Sequence, residues 1–349
     1  MFSFHYRRAA VLCLALPFAL AAGAQDTRTV TQPVIPPSCT VLTSTLAIVA
    51  GEPAAETTFD TTRIQTALNA CPVGQAVELS LSGTNVAFLI QPIIIPSGVT
   101  LLVDGGVTVF ASRNPADYQT VGGETCGTVG TKGNGCNNLI SIGTGGTTTG
   151  SAIMGYGIID GRGEDKLLVG SVASTSSWWD IANSASSGGA QNNFVLMQTS
   201  HANSFTLYGI TVKNSPMFHL KWNGTNGYTV WDVKVITPYT ARNTDGMDIA
   251  GTNVTIMNSS ISDGDDDVAV SAASAASNMT VANTNTYSGH GISIGSYTQG
   301  GFTNLLVNNV NMAGTAADSN ATGLRIKSAM DRGGLVQNVT YQNMCLQNM

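Results

Sequence analysis

Residues 243–271 read NTDGMDIAGTNVTIMNSSISDGDDDVAVS. Two short runs rich in Val, Ile and Thr, MDIAG from Met247 and NVTIMNSSI from Asn253, alternate with clusters of Asp and Gly. Such runs favour strands, and Asp and Gly favour the turns between them. The closing DVAVS repeats the pattern of MDIAG, so the stretch spans one structural unit and begins the next.

Moving outward, runs equivalent to NVTIMNSSI recur as SFTLYGITV from Ser204, GYTVWDVKV from Gly227, NMTVANTNT from Asn278, NLLVNNVNM from Asn304 and NVTYQNMC from Asn338. Their starts lie 23, 26, 25, 26 and 34 residues apart. A period in the twenties with one or two strands per unit is the signature of a solenoid, because each coil buries its inward face only against its neighbours. The expected fold is all-β, a right-handed parallel β-helix. A leucine-rich repeat would place Leu at fixed offsets, where this chain has Val, Ile, Thr and Asn. The segment TTRIQTALNAC from Thr61 reads as one short helix capping the solenoid.

The rest of the composition fits this picture. Hydrophobic residues make up 43% of the chain, too many for a disordered segment. At the N-terminus Arg7 and Arg8 precede a 14-residue apolar run and Ala22-Gly23-Ala24. Spanning a bilayer takes about 20 residues, so the first 24 are read as a cleaved export signal rather than an anchor. Residues 25–349 then form a single domain, secreted and extracellular, with no membrane partner. Losing two cations and no acids with the signal takes the formal charge from -6 to -8. That balance excludes nucleic acid as a natural partner.

In an oxidising compartment the remaining cysteines tend to pair. Cys39 with Cys71 and Cys126 with Cys136 are the expected bridges, leaving Cys345 unpaired. Six N-x-S/T sites, at Asn223, Asn253, Asn258, Asn278, Asn320 and Asn338, match glycosylation acceptors. Several occupy equivalent repeat positions, which favours stacked, hydrogen-bonded asparagines there.

The second strand of each coil aligns on its apolar centre: MDIAG on Ile249, DVAVS on Val270, GISIGS on Ile294 and GLRIKS on Ile326. Four residues before the first three centres stand Asp245, Asp266 and His290, which places them on consecutive rungs about 4.8 Å apart. Asp265 adjoins the middle rung, so the chain must turn or bulge there to bring both acids to one face. Arg325 and Lys327 flank Ile326 and point outward. Carboxylates crowded in this way acquire different pKa values and can divide acid and base roles. His290, between two glycines, belongs to this patch, whereas His219 reads as structural. Arg242 either faces the same cleft or neutralises Asp245. Asp248, Asp263 and Asp267 read as a solvated turn. Asp263, Asp265 and Asp267 also match the start of a calcium loop, but Val268 and Ser274 stand where such a loop needs Gly and Glu. No metal is expected.

In order and spacing, NTDG at Asn243, GDD at Gly264, GHG at Gly289 and RIK at Arg325 resemble the four signature motifs of the polygalacturonases, glycoside hydrolase family 28. The similarity extends upstream through GYGIIDGRG at Gly155. This resemblance implies hydrolysis of α-1,4-linked galacturonic acid in pectin with inversion, by endo or exo attack, without cofactors and as a monomer. It implies that Asp265 is the general acid, kept protonated with the help of His290, and that Asp245 and Asp266 hold and deprotonate the attacking water. Acid and base should then stand about 6.5–9.5 Å apart. Arg325 and Lys327 would bind substrate carboxylates, with Asn243 and Gly289 beside them. Trp178 and Trp179 either stack on a sugar or pack in the core. Asp267 departs from the small or neutral residue usual in the family. The chain also stops 22 residues after Lys327, where the family continues through further coils, so an incomplete C-terminus is expected. A calcium-dependent pectate lyase and a non-catalytic carbohydrate-binding β-helix are the alternatives.

Overall fold

Many corners of the coils are turned by an Asn, Gly or other residue in the left-handed region. The computed structural model describes residues 25–143, 147–170, 172–318 and 321–349. The leader at 1–24 and the site at Asn320 lie outside the described residues.

Parallel pairing builds three strand faces into one right-handed β-helix, the sense that parallel crossover connections take. The first face stacks Ala76–Ser80, Thr100–Val103, Ala152–Gly155 and Thr206–Tyr208. It continues through the later halves of Leu220–Trp231 and Met247–Met257 and the central parts of Ala276–Tyr287, Phe302–Ala313 and Val336–Gln347. The second face carries Ala87–Ile90, Thr108–Ala111, Ile158–Asp160, Thr211–Lys213, Lys234–Ile236 and Ser260–Ser262. The third carries Ile93–Ile95, Ile140–Ile142, Met197–Ser200 and residues 220–222 and 247–249, then Val268–Val270, Ile292–Ile294 and Leu324–Ile326.

Register follows the sequence alignment. Ile249 pairs with Val270, Val270 with Ile294, and Ile294 with Ile326. On the first face Ile153, Leu207, Val230, Ile256, Val281 and Val307 stack inward as one buried apolar row. The runs that read as single strands are in fact broken by a corner: NVTIMNSSI divides at Asn258, whose φ is 55°. Asn253, Asn278, Asn304 and Asn338 mark the preceding corner, all with positive φ. Asn tolerates that region better than other non-glycine residues. Their amides form the expected ladder, with Nδ2 of Asn278 to Oδ1 of Asn253 at 3.3 Å, Asn304 to Asn278 at 2.8 Å and Asn338 to Asn304 at 3.1 Å.

The helix Thr61–Ala70 closes the first coil with Ile64 and Leu68 buried. Both expected disulfides are present, and Cys345 is free and exposed. Trp178 is fully buried against Tyr118 and Phe194, so it packs in the core and offers no surface to a sugar. Trp179 is partly buried and donates from its indole to the Ser215 carbonyl. Among the described residues no helix is long and apolar enough to cross a membrane.

Residues 25–37 form a strap laid backwards over the first face. Its hold comes from a column of threonines in one register, Thr206, Thr229, Thr255 and Thr280. The amides of Gln25 and Asp26 donate to Thr280 Oγ1, Thr255 Oγ1 donates to Asp26 Oδ2 at 2.8 Å, and Arg28 Nη2 donates to the Tyr228 carbonyl at 2.6 Å. Further along, Gln32 reaches the Tyr208 hydroxyl and Ile35 packs against the cluster of Ala76, Leu102, Ala152, Met154 and Tyr208. Asp26 is buried and also pairs with Arg28 at 2.7 Å. Asp26→Ala leaves Thr255 and the partly buried Arg28 without their acceptor, a loss of about 2 kcal/mol. The midpoint of thermal unfolding should fall by roughly 3 °C, with activity at 25 °C unchanged. An unaltered melt would mean that the strap contributes nothing to stability.

Candidate active site

At the turn from the second face to the third, three consecutive coils present the acids and the imidazole. The bend 263–267 links Ser260–Ser262 to Val268–Val270, which settles how neighbouring Asp265 and Asp266 reach one surface: neither lies in a strand. Backbone bonds carry the ladder through the turns, from Gly246 N to the Asp266 carbonyl at 3.0 Å and from His290 N to the Asp265 carbonyl at 2.5 Å. Gly246 is required by close approach, since a Cβ there would lie 2.6 Å from the Asp267 carbonyl oxygen.

Asp265 Oδ2 accepts from Asn243 Nδ2 at 3.0 Å, and its Oδ1 lies 3.0 Å from His290 Nδ1. Asp266 is clamped from the other side. Its Oδ1 accepts from Ser293 Oγ at 2.7 Å and from Arg325 Nη2, and its Oδ2 accepts from Lys327 Nζ at 2.7 Å. Arg325 Nε is itself fixed on Ser293 Oγ at 3.0 Å. Asp245 is nearly buried, with one carboxylate oxygen unpartnered. Gly289 lies in the turn and uses its N–H on Asp318 Oδ2. Its φ of 71° is one that a side chain would strain.

Two recesses meet here, and both are lined by Asn243 and Asp265. One, of about 490 Å³, includes Tyr239, Gly264, His290 and Asp318. The other, of about 260 Å³, runs over the third face past Asp245, Asp248 and Asp266 to Tyr297 and Lys327.

Burial, and then the charges of Asp265 and Asp266, push Asp245 well above the usual carboxylate range. Burial also pushes Asp265 up, but the hydrogen bond and charge of His290, with the charge of Lys327, outweigh it and hold Asp265 below its ordinary value. The expectation that His290 keeps Asp265 protonated is therefore reversed in the free protein, because a ring N–H donor stabilises the anion.

Other readings also change. Asp263 and Asp267 are fully buried, not solvated. They do not converge with Asp265 as calcium ligands would, since Asp263 accepts from the Asp265 N–H and Asp267 from the Gly291 N–H. Asp248 lines the groove, and burial together with Asp266 raises it to about 6 against the pull of Lys221 and Lys327. Its register with Lys221 on one side and with Ala269, Ser293 and Arg325 on the other places it on the outward row, a position that the alignment of apolar centres could have exposed. Arg242 donates to the carbonyls of Ala182 and Ala185 at the end of helix Trp178–Ser184, and so anchors that helix beside the recess. His219 is buried as expected, with Nε2 on Thr237 Oγ1 at 2.7 Å, and burial lowers its pKa to about 4.

Asp265, Asp266 and His290 offer one ligand atom each within 4.8 Å of one another, a spacing a metal ion could use. Both Asp266 oxygens, however, already accept from cations or hydroxyls.

Residues 87–349 match the model of the glycosyl hydrolases family 28. The chain belongs to this family. Within family 28 it is 41% identical to an endo-polygalacturonase of Pectobacterium carotovorum subsp. carotovorum, covering 95% of this chain and 77% of that protein. It is 40% identical to a polygalacturonase of Ralstonia nicotianae, over 95% of this chain and 70% of that one. The solved polygalacturonase from Erwinia carotovora ssp. carotovora superposes with a TM-score of 0.77 at 37% identity, covering 93% of this chain and 81% of that chain. The family 28 chain described here is thus a glycoside hydrolase of the polygalacturonase family, and the groove at Asp265 is its candidate active site.

Proposed function

We propose that this family 28 hydrolase is a secreted, monomeric endo-polygalacturonase that inverts configuration at the cleaved α-1,4-galacturonosyl bond. The observation that carries the endo reading is the groove: recesses on both sides of Asp265 leave room for polymer in both directions. The named endo-acting relative supports the same reading, and the apolar leader supports export.

In this scheme Asp265 donates its proton to the leaving glycosidic oxygen. A polyanion beside it brings negative charge and draws Lys327 away, both of which favour protonation of Asp265 on binding. Asp266, paired with Arg325 and Lys327, is placed to take the proton of the attacking water. Asp245, pushed up by burial, is suited to hold that water by a hydrogen bond. Arg325 and Lys327 also face the galacturonate carboxylates, whose charge they complement in an otherwise acidic chain.

Two readouts of one digest of polygalacturonate test this. Early products should be oligomers of many lengths, and the first anomer seen by proton NMR should be β. Only short products from the chain end would replace endo with exo attack. A first-formed α anomer would mean retention and make one of the carboxylates a nucleophile. Unsaturated products abolished by a chelator would make the protein a lyase.

A further inference from the structure

Three of the six aspartates in the stretch 243–271 have no part in the scheme above; Asp248 lines the groove, and the other two are wholly buried beneath it. Asp263 and Asp267 sit inside the coil that carries Asp265. Each spends one oxygen on the main chain of the site: Asp263 Oδ1 accepts the Asp265 N–H at 2.9 Å, and Asp267 Oδ2 accepts the Gly291 N–H at 2.9 Å, next to His290. The other oxygens, Asp263 Oδ2 and Asp267 Oδ1, have no hydrogen-bond partner. Beside Asp267 the hydroxyl of Thr286, also buried, stands within reach of the carboxyl but makes no well-formed hydrogen bond with it.

An ionised carboxylate in such a place is costly, because it has lost water and gained no cation. The groups around Asp267 are Asp266, Asp318, Thr286 and the Gly291 N–H, and those around Asp263 are Asp265, Asp266, Asp267 and the Asp265 N–H. The cations of the site, Arg325 and Lys327, are engaged with Asp266.

We propose that Asp263 and Asp267 are positioning residues that work as uncharged carboxylic acids, each accepting a turn N–H through its carbonyl oxygen, and that loss of their protons sets the alkaline limit of the site. As an acid, Asp267 has an O–H to offer, and the Thr286 hydroxyl is at hand to accept it. Asp267 Oδ1 and Thr286 Oγ1 are then both satisfied by a single proton. Burial raises both groups well above the usual carboxylate range; in Asp263 any charge on Asp267 would add to it against the Asp265 N–H, and in Asp267 the charges of Asp266 and Asp318 add to it against the Gly291 N–H and the Thr286 hydroxyl.

The sign of the pH effect follows. For an acid whose folded pKa exceeds its unfolded value, the folded state holds the extra proton. Stability is therefore full below the ordinary carboxylate range and falls as pH rises toward the raised value. Asn at position 267 keeps the carbonyl for Gly291, can donate to Thr286, and never ionises.

The test compares the full chain with its Asp267→Asn variant. The thermal midpoint should match wild type at pH 4.5 and exceed it at pH 8 by roughly 3 °C or more. The alkaline limb of kcat/KM on polygalacturonate should move up by about one pH unit, while kcat near the optimum stays within about threefold. Asp263→Asn should repeat the pattern. A variant destabilised equally at both pH values, or no gain at pH 8 for either, would overturn the proposal. The activity arm rests on the hydrolase reading above. The melting arm does not, so a chain inactive on polygalacturonate that still shows the pH-dependent gain would sink only that reading.

Discussion

Asp265→Asn should lower kcat on polygalacturonate by at least ~100-fold and leave KM within about twofold. The asymmetry follows from what the amide keeps. Its oxygen can still accept from one of the two donors that hold the carboxylate, Asn243 Nδ2 or His290 Nδ1. What it cannot do is deliver a proton to the leaving oxygen, a need that exists only in the transition state. A second effect checks the electrostatics. Asp265 is the largest charge acting on Asp245 after burial, so its loss should lower the pKa of Asp245 and shift the residual pH profile toward acid. Near-normal turnover in a variant with a native melt would remove Asp265 from the role of acid.

The next largest change is expected for Lys327→Ala. Lys327 holds Asp266 Oδ2 at 2.7 Å and lines the smaller recess, so it is placed to touch both base and substrate. A charge-assisted hydrogen bond is worth about 1.5–3 kcal/mol, or roughly 10–100-fold in kcat/KM. Most of this should fall on KM, because the substrate carboxylate is charged already in the ground state. Arg325 and Ser293 remain to position Asp266, which limits the loss in kcat. Salt sharpens the test: screening should raise KM steeply for wild type and more weakly for the variant. Parallel salt curves would mean that Lys327 does not meet the polyanion.

The repeat was legible because side-chain identity reports the stacking directly. Ile249, Val270 and Ile294 are buried in one register, which Ile326 continues although it is exposed, and counting from the first three located Asp245, Asp266 and His290 on adjacent rungs. What the alternation could not supply was the depth of residues in the turns. Asp263 and Asp267 follow no period once the strand ends, so their burial depends on the Gly246 and Gly289 turns stacked above and below them. Ionisation was equally hidden. Whether His290 raises or lowers Asp265 depends on whether the nitrogen facing the carboxylate carries a proton, and that Nδ1 stands 3.0 Å from it is a fact of the fold, not of the repeat. The corners were visible only in retrospect, when Asn253, Asn258 and Asn278 proved to be residues of positive φ and not merely polar members of a strand.

The strap over the first face bears on the order in which the molecule assembles. A solenoid coupled only between neighbouring coils can nucleate anywhere and fray from either end, and its contacts are short in sequence. Gln25 on Thr280 spans 255 residues, and Asp26 on Thr255 spans 229. Contacts so distant are slow to form, because the intervening chain must first be brought together. The threonine column on which the strap lies does not exist until the coils from Thr206 to Thr280 have stacked. Residues 25–37, early in the chain, are therefore among the last to dock, and once docked they make loosening of one coil felt by several others.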